Sequence, residues 1–334
     1  MKSRVALIRG NARYDNIAQA LALIEGDIDL RDKKRVLIKP NFVSTRWQLA
    51  ATHVEAVRAV LDWLRPRYDG PITIGEGAAG SETFDGYRNF GYLNLAEEYS
   101  VRFVDLNQDQ WARVQIYDRR LRPMGVRVAR TALESDFRIS VSPPKTHDAV
   151  IVTLSLKNMV MGSLVRGRGG GFFQRLGQLL PDQVTNSVLA EKVKSHLSTI
   201  NRSDKFAIHQ GYHGINLNLY TLAKVIAPHL SVIDGFVGME GYGPSSGDPV
   251  DLRVAIASTD FLAADTVATK LMGFDPDEVG YLHYCKIGGL GAGDLNNIEI
   301  VGNATIEGCA RKFRPHPTYE QQLEWRMPEV ERFL

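Results

Sequence analysis

Val36-Leu37-Ile38-Lys39-Pro40-Asn41 decides the fold. An apolar run ends abruptly at a lysine, and the proline behind it supplies no ladder donor and turns the chain. That pattern is a strand finishing at the carboxyl edge of a sheet, with Lys39 and Asn41 left at the edge. In open α/β sheets ligands bind along that edge.

The same reading extends outward. Further strands are expected over Val5–Ile8, Ile72–Gly75, Val101–Asp105, Phe137–Val141, Leu230–Asp234 and Val254–Ser258, with a late, edge-like one at Ile298–Val301. Between them lie segments of helical period: Ile17–Ile24, Val54–Leu64, Leu154–Leu164, Val184–Ile200, Leu217–Ile226, Phe261–Met272 and Glu278–Lys286. Alternation of this kind predicts an α/β protein with a largely parallel sheet, helices on both faces, and two lobes around a central cleft. The helix boundary at Thr52-His53-Val54-Glu55 matches a capping box with Thr52 as N-cap, and Pro66 ends that helix.

A chain of 334 residues accommodates two lobes, expected at 1–150 and 151–308, with a peripheral tail over 309–334. Within the second lobe, Arg166 to Asp182 is rich in glycine and carries Phe172 and Phe173, which suits either a lid or a connecting loop. Hydrophobic residues make up 44% and charged residues 23%, so a cored globular protein is expected. The formal net charge of +2, without a block of like charge, gives no reason to expect nucleic acid; Arg119-Arg120 with Arg122 reads as a solvated loop. The apolar run Val5–Ile8 is too short for the core of a signal peptide, and no segment reaches the length of a membrane span. Two cysteines, Cys285 and Cys309, cannot hold an iron–sulfur cluster within this chain and form no disulfide framework, so a cytoplasmic location is expected. A homo-oligomer is compatible with this composition.

Three lysines adjoin apolar runs: Lys39, Lys145 and Lys157. An ammonium group is costly to desolvate without compensation, so their convergence would create a site for a small anionic molecule. Lys145-Thr146-His147 follows two prolines; the lysine and histidine, two apart, point the same way in an extended segment. They are the candidate catalytic pair, with His147 as general acid or base. Lys39, Asn41, Lys157 and Asn158, with Gly241 and Gly243 of a glycine-rich loop from Asp234 to Gly247, are the candidate substrate ligands. Asp234, Glu240 and Asp265 are carboxylates that could hold a divalent metal through oxygen, while Asp260 reads as an N-cap. His209 is a further candidate; His213 is not, because Gly211 and Gly214 argue against a helix that would align the two rings. Gly75-Glu76-Gly77-Ala78-Ala79-Gly80 matches a dinucleotide fingerprint, but Gly86 and Gly91 break up the helix such a site requires; Glu76 is expected to face the cleft instead.

Together these motifs resemble the DUF362 family, an uncharacterised prokaryotic group. The likeness is carried by Lys39-Pro40-Asn41, Lys145-Thr146-His147, Lys157-Asn158, His209, Asp234-Gly235, Met239-Glu240-Gly241-x-Gly243-Pro244-x-x-Gly247, Asp260 and Asp265. It covers nearly the whole chain. Many members carry an appended ferredoxin-like cysteine motif with iron–sulfur clusters, and this chain departs from that pattern. A fold-level likeness to the lactate racemase group, with two α/β lobes around a Lys/His cleft, is analogy alone. The resemblance implies a shared site and names no reaction. Three readings follow: an enzyme for a small carboxylate- or phosphate-bearing substrate, a non-catalytic binding or redox-accessory protein using Phe172 and Phe173, and, with least support, a nucleotide-cofactor enzyme using Gly75 to Gly80.

Overall fold

The computed structural model describes residues 2–166 and 203–334. The glycine-rich stretch from Gly167, with Phe172 and Phe173, and the helix expected over 184–200 lie outside the described residues. The strands are β1 (Ser3–Arg9), β2 (Val36–Lys39), β3 (Ile72–Glu76), β4 (Val101–Asp105), β5 (Trp111–Tyr117), β6 (Pro123–Ala129), β7 (Phe137–Ser142), β8 (Lys145–His147), β9 (Ile151–Thr153), β10 (Leu230–Glu240), β11 (Asp248–Ser258) and β12 (Ile298–Val301). The longer helices are α1 (Arg13–Leu23), α2 (Val54–Leu64), α3 (Thr83–Asn89), α4 (Ser155–Ser163), α5 (Gly211–Ile226), α6 (Phe261–Leu271) and α7 (Gly280–Ile287).

Among the described residues one sheet runs in the order β12-β1-β11-β10-β7-β2-β3-β4, with β8 on β10 and β9 on β8. Its pairings β3–β4, β2–β3, β2–β7, β7–β10 and β1–β12 are parallel, whereas β11 is antiparallel to both β1 and β10. The boundary anticipated near residue 150 falls inside the β8–β9 hairpin, and strands from either side of it share this sheet.

Helices cover both faces because the side chains of each strand alternate. Val5 and Leu7 of β1 and Val254 and Ile256 of β11 pack with residues of α5, α6 and α7. Their neighbours Ala6, Ile8, Ala255 and Ala257 pack with α1 and α2 on the other side. Each Val, Leu or Ile so buried contributes roughly 1.5–3 kcal/mol.

Three details differ from expectation, each for a local reason. The N-cap of α2 is His53, whose Nδ1 accepts the Glu55 N–H, and not Thr52. Thr52 is needed elsewhere: buried, it accepts from the Asn41 N–H at 2.8 Å and donates to the Val141 carbonyl at 2.7 Å, tying the ends of β2 and β7 together. The strand expected to stop at Asp234 continues to Glu240, so Gly235 and Gly238 are strand residues and only Gly241 to Gly247 form the turn. The β5–β6 hairpin was not anticipated; the arginines at 119, 120 and 122 surround its turn.

Candidate functional site

The carboxyl ends of β2, β3 and β7 face the first turns of α4, and every polar motif of the first half of the chain ends there. Apolar burial fixes the strands, and their last residues carry the chemistry. The resulting cavity, of about 240 Å³, is lined by Glu76, His147, Asp148, Lys157, Lys205 and His209, together with Asn41, Asn158 and Thr153.

Lys39 is buried and saturated. Its Nζ donates to the Glu76 carboxylate, to Asn158 Oδ1 at 2.9 Å and to the Pro40 carbonyl at 2.9 Å. Burial pulls its pKa down while the Glu76 charge opposes that pull. Asn158 Nδ2 also donates to Ser140 Oγ and to the Lys39 carbonyl, so α4 and β2 lock together through this amide. Gly162, one turn further along α4, leaves room for the pair: a Cβ there would sit 2.1 Å from Lys39 Nζ.

Lys145 is equally buried and reaches Asn41 Oδ1 and the Ala50 carbonyl. With no carboxylate as partner, burial and the neighbouring Lys157 lower its pKa to about 7. Lys157 Nζ lies 2.7 Å from His147 Nε2, and burial lowers its pKa to about 8. Lys205 donates to the carbonyls of Met161 and Leu164 at 2.7 and 2.8 Å, and burial brings it to about 7. Among the described residues, Lys39 alone of these four has a carboxylate within hydrogen-bonding reach.

His147 connects the lysine to an acid. Its Nδ1 lies 2.9 Å from Asp148 Oδ1 and 2.9 Å from the Ala149 N–H. With the ring proton on Nδ1 it donates to Asp148, and Nε2 offers a lone pair to Lys157. With the proton on Nε2 instead, Nδ1 accepts from Ala149, but Nε2–H then faces the Lys157 ammonium and Nδ1 the Asp148 carboxylate. The Nδ1–H tautomer is the one that serves both charged neighbours, and it leaves Nε2 as the basic nitrogen. Burial, then the charge of Lys157, push the His147 pKa down to about 3, so the ring is neutral at physiological pH. Against the partial burial that would raise it, the His147 hydrogen bond holds Asp148 well below the ordinary carboxylate range. His209, brought by burial to about 4, donates from Nδ1 to the Lys205 carbonyl.

Other candidates are placed elsewhere. Asp234 receives Arg13 Nε at 3.0 and 2.9 Å, Glu240 accepts the Arg314 N–H, and Asp265 accepts the N–H groups of Ser155 and Leu156. The three carboxylates expected to gather around a metal are thus each engaged by a different protein donor, and no cluster of three His, Cys, Asp or Glu suited to a metal occurs among the described residues. Gly241 and Gly243 give no anion nest: their N–H groups go to the Arg314 and Gly241 carbonyls. Gly243 instead permits close approach to β8, since a Cβ would lie 2.2 Å from the Thr146 carbonyl; Pro244 and Ser245 of this turn line the cavity. His213 sits in α5 near Arg119, because the helix begins at Gly211 and Gly214 does not break it. Asp260 caps α6 as expected. Glu76 lines the cavity, and α3 starts only at Thr83 and spans seven residues, so no long helix fronts Gly75–Gly80.

Lys205 and Asp148 escaped the sequence reading. Asp148 was visible as the residue after the Lys-Thr-His motif; Lys205 had only its spacing of four before His209.

Residues 36–270, which hold every lysine and carboxylate of this cavity, match the family model described as a domain of unknown function, DUF362. The chain belongs to the DUF362 family. A thylakoid-associated protein of Synechocystis sp. is 25% identical to this DUF362 chain over 244 residues, covering 72% of the chain. The chain spans 64% of that relative's length. Among solved structures, the lactate racemase apoprotein from Thermoanaerobacterium thermosaccharolyticum aligns with a TM-score of 0.45 at 15% identity, over 80% of this chain and 56% of the other. No helix among the described residues is long and apolar enough to cross a membrane.

Proposed function

We propose that this DUF362 protein is an enzyme acting on a small carboxylate- or phosphate-bearing molecule held in the cavity. The observation that carries this reading is the imbalance of buried charge: among the described residues, Lys145, Lys157 and Lys205 hydrogen-bond to neutral acceptors alone. Desolvated ammonium groups of this kind are stabilised by an anion that enters beside them. Donor use agrees. An ammonium has three N–H donors; among the described residues Lys205 uses two and Lys157 at most one, which leaves donors on both where they line the cavity. Thr153 Oγ1, also on the cavity wall and buried, has no hydrogen-bond partner among the described residues and is available to a ligand.

In this reading Lys157 and Lys205 bind the anionic group, while Lys145 and the Lys39–Glu76 pair hold the strand ends in place. His147 moves a proton to and from the ligand through Nε2, while the Asp148 carboxylate orients the ring from Nδ1. The two free, buried cysteines fit the reducing environment of the cytoplasm, where we place the protein. The test is a thermal-shift titration with inorganic phosphate, sulfate and oxalate. A ligand at about a hundred times its Kd stabilises the native state by about 2.7 kcal/mol. A melting temperature indifferent to all three anions, at constant ionic strength, would overturn the proposal.

A further inference from the structure

The anion-binding reading leaves one feature unused: of the buried lysines lining the cavity, Lys157 has a single hydrogen-bond partner among the described residues, and that partner is an imidazole nitrogen. We infer that Lys157 is a nucleophile whose amine condenses with the carbonyl carbon of a small 2-oxo acid to form an imine, a step that rests on the cavity accepting an anion.

The geometry separates Lys157 from its neighbours. Lys39 spends all three donors on Glu76, Asn158 and Pro40 and is the partner of a buried carboxylate, so its charge is retained. Lys205 is clamped by two carbonyls, which occupy two of its N–H groups and fix it in place. Lys145 is fixed by Asn41 and Ala50 and does not line the cavity. Lys157 faces His147 Nε2 at 2.7 Å, and the Asp148 carboxylate, by taking the proton on Nδ1, leaves that nitrogen free to accept one. Desolvation is an arrangement that makes a lysine amine nucleophilic at neutral pH. With its pKa brought to about 8 by burial, the unprotonated fraction exceeds that of a solvent lysine by roughly two orders of magnitude.

The remaining wall fits the other half of the ligand. Among the described residues, Lys205 has a donor left for the carboxylate and the Thr153 hydroxyl has no partner, so it is available to the oxygen that leaves. A volume of about 240 Å³ accommodates a 2-oxo acid of a few carbons. The chemistry balances without an oxidant or reductant. The Nζ lone pair forms the C–N bond as the carbonyl π pair moves to oxygen. His147 Nε2 accepts a proton from nitrogen and returns it to the oxygen, and loss of water, carrying both amine hydrogens, leaves the C=N bond.

The full chain is incubated with pyruvate, and separately with glyoxylate, then treated with sodium borohydride and examined by intact mass and peptide mapping. The expected result is one reduced adduct per chain, mapped to Lys157 and suppressed by inorganic phosphate. An adduct on another lysine, adducts scattered over the surface, or no adduct with either probe overturns the assignment. Phosphate stabilisation without an adduct removes the imine and leaves the anion site standing; loss of both removes the two together. Because the wild-type chain is labelled, the result does not depend on a variant that folds.

Discussion

Lys39, the last residue of β2, and Glu76, the last of β3, form an ion pair with almost no solvent exposure at the carboxyl edge of the sheet. Two charges taken out of water cost several kcal/mol each, and the pair repays this only while both partners remain. Glu76→Gln is therefore expected to destabilise the fold by about 3–5 kcal/mol, because it strands the Lys39 ammonium. The double substitution Lys39→Met with Glu76→Leu removes both charges and is expected to recover most of that loss. Urea denaturation of the three proteins decides; equal stability of the single and double variants would show that the pair itself contributes little.

Gly162 supports the same pair from α4. Replacing a helical glycine with alanine ordinarily gains about 0.5–1 kcal/mol. Here the new methyl would meet Lys39 Nζ at 2.1 Å and Glu76 Oε1 at 2.9 Å. Overpacking of this kind costs about 1–3 kcal/mol, so Gly162→Ala is expected to lower the melting temperature. A raised melting temperature would mean that the pair moves aside at no cost.

The contrast between these residues explains what the sequence made legible. Lys39, Lys145 and Lys157 stood out because each ends or follows an apolar run whose burial is dictated by the sheet, so the lysine had to be buried too. The strands of the central sheet were readable for the same reason. Trp111–Tyr117 was not, because apolar residues alternate there with arginine and glutamine and no apolar run marks it, although its pairing with Pro123–Ala129 buries Ile116, Val126 and Val128. The carboxylates misled because a sequence shows a charge without its partner: Asp234 is paired with Arg13, 221 residues away, and Asp265 with the start of α4, 110 residues away. Thr52 has the pattern of an N-cap, yet the join between β2 and β7 claims its hydroxyl.

The buried lysines make stability depend on pH. Folding lowers Lys145 and Lys205 to about 7 and Lys157 to about 8, from about 10.5 in the unfolded chain. Below pH 7 both states carry these protons and the cost of burying the charge is fully present. From pH 7 to pH 9 the folded state releases them while the unfolded state keeps them, so stability rises with pH, by at most about 1.4 kcal/mol per pH unit for each lysine. Melting temperatures measured across this window are expected to climb, and saturating phosphate, by keeping the ammonium groups charged and paired, is expected to flatten the rise. A curve that falls from pH 7 to pH 9 would contradict the burial of three amines whose desolvation outweighs the pull of the nearby carboxylates.

Asp265 tests how the lysine helix is anchored. Its Oδ1 accepts the Ser155 N–H at 2.9 Å and its Oδ2 the Leu156 N–H at 3.0 Å, so a buried carboxylate on α6 satisfies the first donors of α4. Burial raises its pKa to about 7, and these two N–H groups hold it from rising further. Asp265→Ala orphans two buried donors at about 1–3 kcal/mol each. Asp265→Asn keeps one acceptor and turns an NH2 group toward the other donor, so an intermediate loss is expected. Because Lys157 and Asn158 lie in the turn that this cap fixes, a cap defect also displaces the cavity wall. Phosphate should then stabilise the alanine variant less than the wild type. If chemical denaturation and phosphate response of Asp265→Ala both match the wild type, α4 is held by its apolar face against the sheet, and Asp265 plays no part in positioning Lys157.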